Sequence, residues 1–242
     1  MKSSILVAAG AALITSFSAH AEPFSGEAEL GWVSTSGNSE SDNLTFKAKA
    51  NKSYGKVSHH VVLEALNSSN TSAGVKNRSA ERYLFNYKAD YAVSEKGYVF
   101  GSINYENDRF SGYDHRVSEL LGYGHKFHDN ETLKTSAEIS IGARQSELSF
   151  ADIDGNTSED EAVVKALGNL AWTVTDTTQF TEELSIEAGE ESTISKSVSG
   201  LKVNINSSLA MKLTYTIKHT SEVPVGTRKT DSERVVTLVY SF

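Results

Sequence analysis

The chain contains no cysteine. That excludes a disulfide framework, a thiolate metal site and a cysteine nucleophile. Only two prolines occur in 242 residues. Pro23 precedes the first strand-like segment and Pro224 falls in a loop-like one, so no proline blocks a hydrogen-bonded ladder. Basic residues are outnumbered, Lys+Arg 23 against Asp+Glu 31, for a net charge of −8. A nucleic-acid binder needs a basic footprint, so no nucleic-acid partner is expected. Hydrophobic residues make up just 38%. Beyond the N-terminus no stretch reaches the ~18 consecutive apolar residues of a membrane-spanning helix. Composition alone describes an ordinary acidic soluble protein. Periodicity contradicts it.

The N-terminal segment has the three parts of a secretory signal. Lys2 is the positive region, an apolar run extends from Ile5 to Phe17, and Ala19-His20-Ala21 is an A-x-A cleavage site. The apolar run is too short for a membrane anchor. The expected organisation is a signal peptide at 1–21 and a single exported unit at 22–242.

From there the chain repeats one pattern: apolar and polar residues alternate with period two. Leu44, Phe46, Ala48 and Ala50 share a face opposite Asn43, Thr45, Lys47 and Lys49. Leu133, Ala137, Ile139, Ile141 and Ala143 oppose Lys134, Ser136, Glu138 and Arg144, and Leu209, Met211, Leu213, Tyr215 and Ile217 oppose Lys212, Thr214 and Lys218. Period two is the strand period. Breakers between segments predict twelve strands, near 23–34, 41–53, 57–67, 80–92, 98–110, 115–127, 133–146, 162–174, 178–189, 194–204, 208–220 and 231–242. Connections alternate between short turns and longer Gly/Ser-rich loops, the longest expected at 68–79, 147–161 and 221–231. Segments 98–110, 115–127 and 194–204 alternate least cleanly, and Glu119 and Glu182 fall on the otherwise apolar face.

A soluble sandwich or barrel hides the apolar face inside; a membrane barrel turns it to lipid around a polar lumen. Four features select the second. The segments are about 11–13 residues long, enough to cross a tilted hydrocarbon layer, where soluble strands average ~5–6. Short and long connections alternate, as on the two sides of an outer membrane. Aromatics gather near segment ends (Phe24, Trp32, Tyr83, Tyr91, Tyr105, Phe127, Trp172 and Phe180) as interfacial girdles require. Many apolar-face residues are alanine, which lipid accommodates and a packed core does not. The fold class is therefore all-β: an antiparallel transmembrane β-barrel of about 12 strands in the cell outer membrane, with outer-membrane lipid as its surroundings.

The motif running from Tyr105 through Asn107, Asp108, Arg109, Phe110, Ser111, Gly112, Tyr113 and Asp114 to Arg116, with Ser36-Gly37-Asn38-Ser39 before it, Leu121-Gly122-Tyr123-Gly124 after it and Val239-Tyr240-Ser241-Phe242 at the end, resembles the YdiY-like salt-induced outer-membrane protein family of Gram-negative bacteria. The resemblance covers essentially all of 22–242. It implies an outer-membrane β-barrel of poorly defined function, and it supplies no catalytic residues.

The terminal segment carries its own signal. Val236, Leu238, Tyr240 and Phe242 share a face. An aromatic-terminated amphipathic strand resembles what the barrel assembly machinery reads, and strand addition would use that alternation. Tyr240 and Phe242 are the expected recognition residues.

Chemistry is sparse. His59, His60, His115, His125, His128 and His219 show no close metal-ligand spacing, and no G-x-S-x-G occurs. Neither a cofactor nor an enzymatic activity is expected, a barrel hydrolase being the least favoured reading. The glycines of Leu121-Gly122-Tyr123-Gly124 relieve crowding in the wall rather than cradle phosphate. The acidic run 147–161 is read as a solvated loop, with weak divalent-cation binding as the alternative because Asp152-Ile153-Asp154-Gly155-Asn156 faintly resembles a calcium loop. In the motif, Asp108, Arg109, Asp114 and Arg116 are expected to pair with one another across a tight turn bent at Ser111-Gly112. The lumen is expected to be lined by Lys47, Lys49, Glu64, Lys88, Lys134, Glu138, Arg144, Lys165 and Lys212, with both signs near balance. Such a network narrows or plugs a small barrel, and twelve strands leave at most a narrow passage. The expected role is a structural or stress-related barrel; the alternative is a small-solute channel.

Overall fold

In a computed structural model the chain is described at residues 24–242, apart from 36–39, 73–74, 152–154 and 225. The expected signal peptide and Ser36-Gly37-Asn38-Ser39 lie outside the described residues. Twelve strands form: β1 (Phe24–Thr35), β2 (Glu40–Tyr54), β3 (Val57–Ser72), β4 (Val75–Ala92), β5 (Gly97–Asp108), β6 (Tyr113–Asp129), β7 (Leu133–Leu148), β8 (Ser158–Thr175), β9 (Thr178–Gly189), β10 (Thr193–Asn204), β11 (Leu209–Thr220) and β12 (Thr230–Ser241). Each pairs antiparallel with its chain neighbours, and β1 pairs with β12, so the sheet is a closed barrel. Closure removes the unpaired edge that hydrocarbon would not tolerate.

The alternation sorts as the period dictates. Leu44, Ile139 and Leu213 are exposed on the outer wall, with Trp32, Tyr83, Phe85, Leu121 and Ile141. Lys47, Lys212 and their neighbours turn inward. Glu119 and Glu182 do lie on the outer wall; Ser197 and Ser199 donate hydroxyl hydrogen bonds to the Glu182 carboxylate at 2.8 and 2.5 Å.

Five connections, at 55–56, 93–96, 130–132, 176–177 and 205–208, lie at one end, with Phe24 and Phe242; this is the turn end. The opposite ends of the strands form the loop end. There the expected long loop at 68–79 is instead ladder: β3 and β4 run on to Ser72 and Val75 across a register shift at Ser68/Ser69. Serine and asparagine had marked this stretch as loop, but cross-strand pairing overrides their weak propensity. Likewise β8 begins at Ser158, which shortens the expected loop at 147–161. Long and short connections therefore do not alternate strictly; strand overhang supplies much of the loop end.

The β1–β12 seam is the shortest ladder, in register from Glu27 to Leu30. Phe242 extends it: its N–H donates to the Gly26 carbonyl at 3.0 Å, and Gly26 N–H donates back at 2.9 Å. The Phe242 ring sits between Phe24 and Tyr240, at 5.9 and 6.0 Å.

Candidate functional site: the lumen

The inner wall of β5–β9 is packed. Tyr98 and Phe100 of β5 point inward and are buried. Their rings fit because the facing strand carries glycine: a Cβ on Gly124 would lie 2.2 Å from the Tyr98 ring, and one on Gly122 2.6 Å from Phe100. The Tyr98 hydroxyl donates to Glu138 at 2.6 Å, and Lys88 reaches the same carboxylate oxygen at 2.5 Å. The Lys88 ammonium lies 5.2 and 5.0 Å from the two ring centroids, within cation–π range.

Nearer the loop end, Arg144 is the hub. Its side chain is 1% exposed. It donates to Glu161 at 2.9 Å, to Glu187 at 3.0 Å and to the Ser192 carbonyl at 2.7 Å, so the buried guanidinium is bonded on several sides. Lys165 meets the other Glu187 oxygen at 3.4 Å. Glu161 corrects the reading of 147–161 as a solvated loop: it is a buried member of β8. Its base lies 17 residues earlier, on the facing strand, so the run looked baseless in sequence. Asp152 and Asp154 lie outside the described residues.

The loop motif also differs from expectation. Asp108, Arg109, Asp114 and Arg116 do not pair with one another. The Asp108 carboxylate accepts the Phe110 N–H at 3.1 Å, fixing its own turn. Arg109 turns out to Glu81 at 3.4 Å, and Asp114 accepts from Ser149 at 3.0 Å. Arg116 stacks inward, its guanidinium 3.5 Å from the Tyr113 ring centroid. A bulge between Glu106 and Asp108 shifts the register across the hairpin and disperses the four charges. Asn107 donates to the Asp114 carbonyl. Ser111 and Gly112 do form the bend, Gly112 at φ +83°.

Two ion pairs cross the lumen at the loop end. Lys218 of β11 bonds Glu106 of β5 at 2.5 Å. Those strands are six steps apart in either direction around the barrel, so the pair spans its diameter. Arg82 of β4 meets Glu233 of β12 at 3.1 Å. Above them, the β11–β12 loop packs on Gly112 of the opposite hairpin: a Cβ there would lie 2.8 Å from Thr227 and 2.9 Å from Pro224. The alternation places Lys218 on the inward face; only the strand order shows that it meets Glu106.

Toward the turn end the lumen is hollow. A cavity of about 560 Å³ runs past Lys47 and Glu64, which pair with each other, and past Lys196, to the rim at Asp129 and Lys134. Lys49, Lys202 and Lys212 line it with Glu27 and Glu29. Among the described residues no group of His, Asp and Glu is arranged to hold a metal ion. The histidines bond elsewhere than to serine: His59 to Tyr87, His60 to Asn51 and Asp90, His128 to Thr135 and His219 to Thr230.

Comparison with known proteins agrees with this architecture. The family model described as "Protein of unknown function, DUF481" matches residues 28–242. The uncharacterized protein YdiY of Escherichia coli (strain K12) is 30% identical over 223 residues, covering 91% of this chain and 84% of its own length. Among solved structures, the COG4313 outer membrane channel from Pseudomonas putida F1 superposes with a TM-score of 0.51 at 10% identity, over 92% of this chain and 97% of that one. The translocator domain of the autotransporter NalP from Neisseria meningitidis gives 0.47 at 11% identity, over 90% and 87%. The likeness to the outer membrane channel is one of fold.

Proposed function

This chain belongs to the DUF481 family, and on that premise we propose that it is a structural, stress-related barrel of the Gram-negative outer membrane whose lumen is sealed at rest. A signal peptide at 1–21 exports it, the turn end faces the periplasm and the loop end faces out. The observation that carries the sealed reading is the Lys218–Glu106 pair across the full diameter, capped by the β11–β12 loop. The salt-induced association comes from the family resemblance, and the envelope-stress role is proposed from it.

Single-channel recording of refolded protein in a planar bilayer tests the seal. Wild type should stay near baseline, and a Glu106→Gln, Lys218→Met double variant should show stepwise conductance. Steady conductance in wild type overturns the sealed reading. It would favour the second one, a narrow channel for small solutes, for which the cavity at the turn end speaks.

Assembly rests on the last strand. Tyr240 and Phe242 are proposed as residues read by the assembly machinery. Burying one aromatic ring contributes only ~1.5–3 kcal/mol, so deleting Phe242 should lower folded yield in cells far more than it lowers the stability of protein already folded. Wild type should fractionate with outer membranes and show heat-modifiable gel mobility. Equal folded yields would overturn the recognition role, and recovery of wild type from the soluble periplasm would overturn the location.

A further inference from the structure

The chamber holds a charge imbalance that its own walls leave unresolved. At its turn end three ammonium groups share two carboxylates. Lys202 of β10 takes Glu27 at 2.7 Å, and Lys212 of β11 takes Glu29 at 2.9 Å. Lys49 of β2 is left 4.0 Å from Glu27 and 3.9 Å from Glu29, beyond hydrogen-bond reach of either. An ammonium has three donors and no acceptor, and the two carboxylates at the limit of ion-pair distance, each already bonded to another lysine, accept none of them. The next lysine on the same inner face, Lys47, shows the contrast: it has Glu64 to itself. Deeper in the chamber lies Lys196, with no carboxylate within ion-pair distance among the described residues. Glu183 of β9 also lines the chamber, so Lys47, Lys49, Lys196, Lys202 and Lys212 face Glu27, Glu29, Glu64 and Glu183. The surplus is one positive charge, although the whole chain is acidic.

We propose that this chamber binds a small oxyanion, a phosphate or carboxylate group, anchored by Lys49 and flanked by Lys202 and Lys212. Tetrahedral or planar oxygens supply the acceptors that Lys49 lacks, and they form charge-assisted hydrogen bonds of the stronger class. The cavity, about 560 Å³, is within the range of small-molecule sites. With the loop end bridged by Lys218–Glu106, the ligand enters from the turn-end rim, past Lys134. The proposal does not depend on conduction: a sealed barrel and a channel would both hold the anion, so a bilayer result leaves it standing and a binding result leaves the seal standing.

The test is calorimetric titration of inorganic phosphate into the refolded full chain in lipid-free detergent micelles at constant ionic strength. Wild type should bind saturably. Lys49→Met should lose about tenfold or more in affinity, the scale of one charged hydrogen bond. Lys49→Arg should retain most of it, and Lys229→Gln, at the loop end, should change nothing. Heat-modifiable mobility checks that each variant is folded, and Lys49→Gln serves if Lys49→Met is not. A second arm adds phosphatidylglycerol to the micelles. Binding in the lipid-free arm assigns the site to a free solute; saturable Lys49-dependent binding of the lipid alone assigns the same chemistry to a headgroup. Absence of binding in both arms overturns the proposal, as does binding that Lys49→Met leaves unchanged or that Lys229→Gln weakens equally.

Discussion

The inner wall of β5–β9 and the inner wall of β1, β2, β10 and β11 come from the same alternation and are filled in opposite ways. On the first, glycines make room for Tyr98 and Phe100, and Arg144, Glu161 and Glu187 close on one another with almost no exposure. On the second, lysines and glutamates of similar number surround a hollow, and the ion pairs keep one cation in excess. Charge balance read from composition does not separate the two. What separates them is whether small residues face large ones across the ladder.

The sharpest way to break this contrast is to remove one cation from each wall. Arg144→Met leaves Glu161 and Glu187 buried beside a methionine, and should cost about 3–5 kcal/mol. Lys212→Met should cost ~1 kcal/mol or less by comparison, because Lys49 already lies 3.9 Å from the same Glu29 oxygen and can move in. Urea unfolding followed by heat-modifiable mobility measures both. Equal losses would mean that the hollow wall is as tightly coupled as the packed one.

A smaller effect sharpens the same point through packing. Gly124→Ala drives a methyl into the Tyr98 ring, which Glu138 holds in place, so a loss of ~1–3 kcal/mol is expected. Gly200→Ala on the chamber wall meets only the Thr181 hydroxyl at 2.5 Å, which a change of one χ1 angle clears, and should cost about 1 kcal/mol or less. The difference in unfolding midpoint between these two variants decides whether the β5–β6 wall is filled to capacity.

How far the sequence speaks follows from the same comparison. Period two set the twelve strands because each residue's facing depends only on its own parity, and Leu44, Ile139 and Leu213 were legible for that reason. Tyr98 and Phe100 were not, since inward aromatics look like broken alternation until the glycines two strand positions apart on β6 are aligned with them. Glu161 was mistaken for solvent-facing because its guanidinium comes from the facing strand. Lys49 is legible as an inward cation, but its lack of a hydrogen-bonded partner depends on Lys202, four strands away around the wall, having claimed Glu27. Parity is local; pairing across a lumen depends on circumference and stagger, which no short window contains.

The Lys218–Glu106 contact has a mechanical meaning as well as an electrostatic one. An empty tube of twelve strands flattens easily, since ovalising it bends the sheet without breaking a ladder. A bond between opposite walls resists that deformation as a strut does, and here the strut joins residues 112 apart in the chain. The barrel is thus stiff where it is braced and compliant around the chamber. Lateral pressure is therefore expected to change the chamber's cross-section before it disturbs the end braced by Lys218 and Glu106.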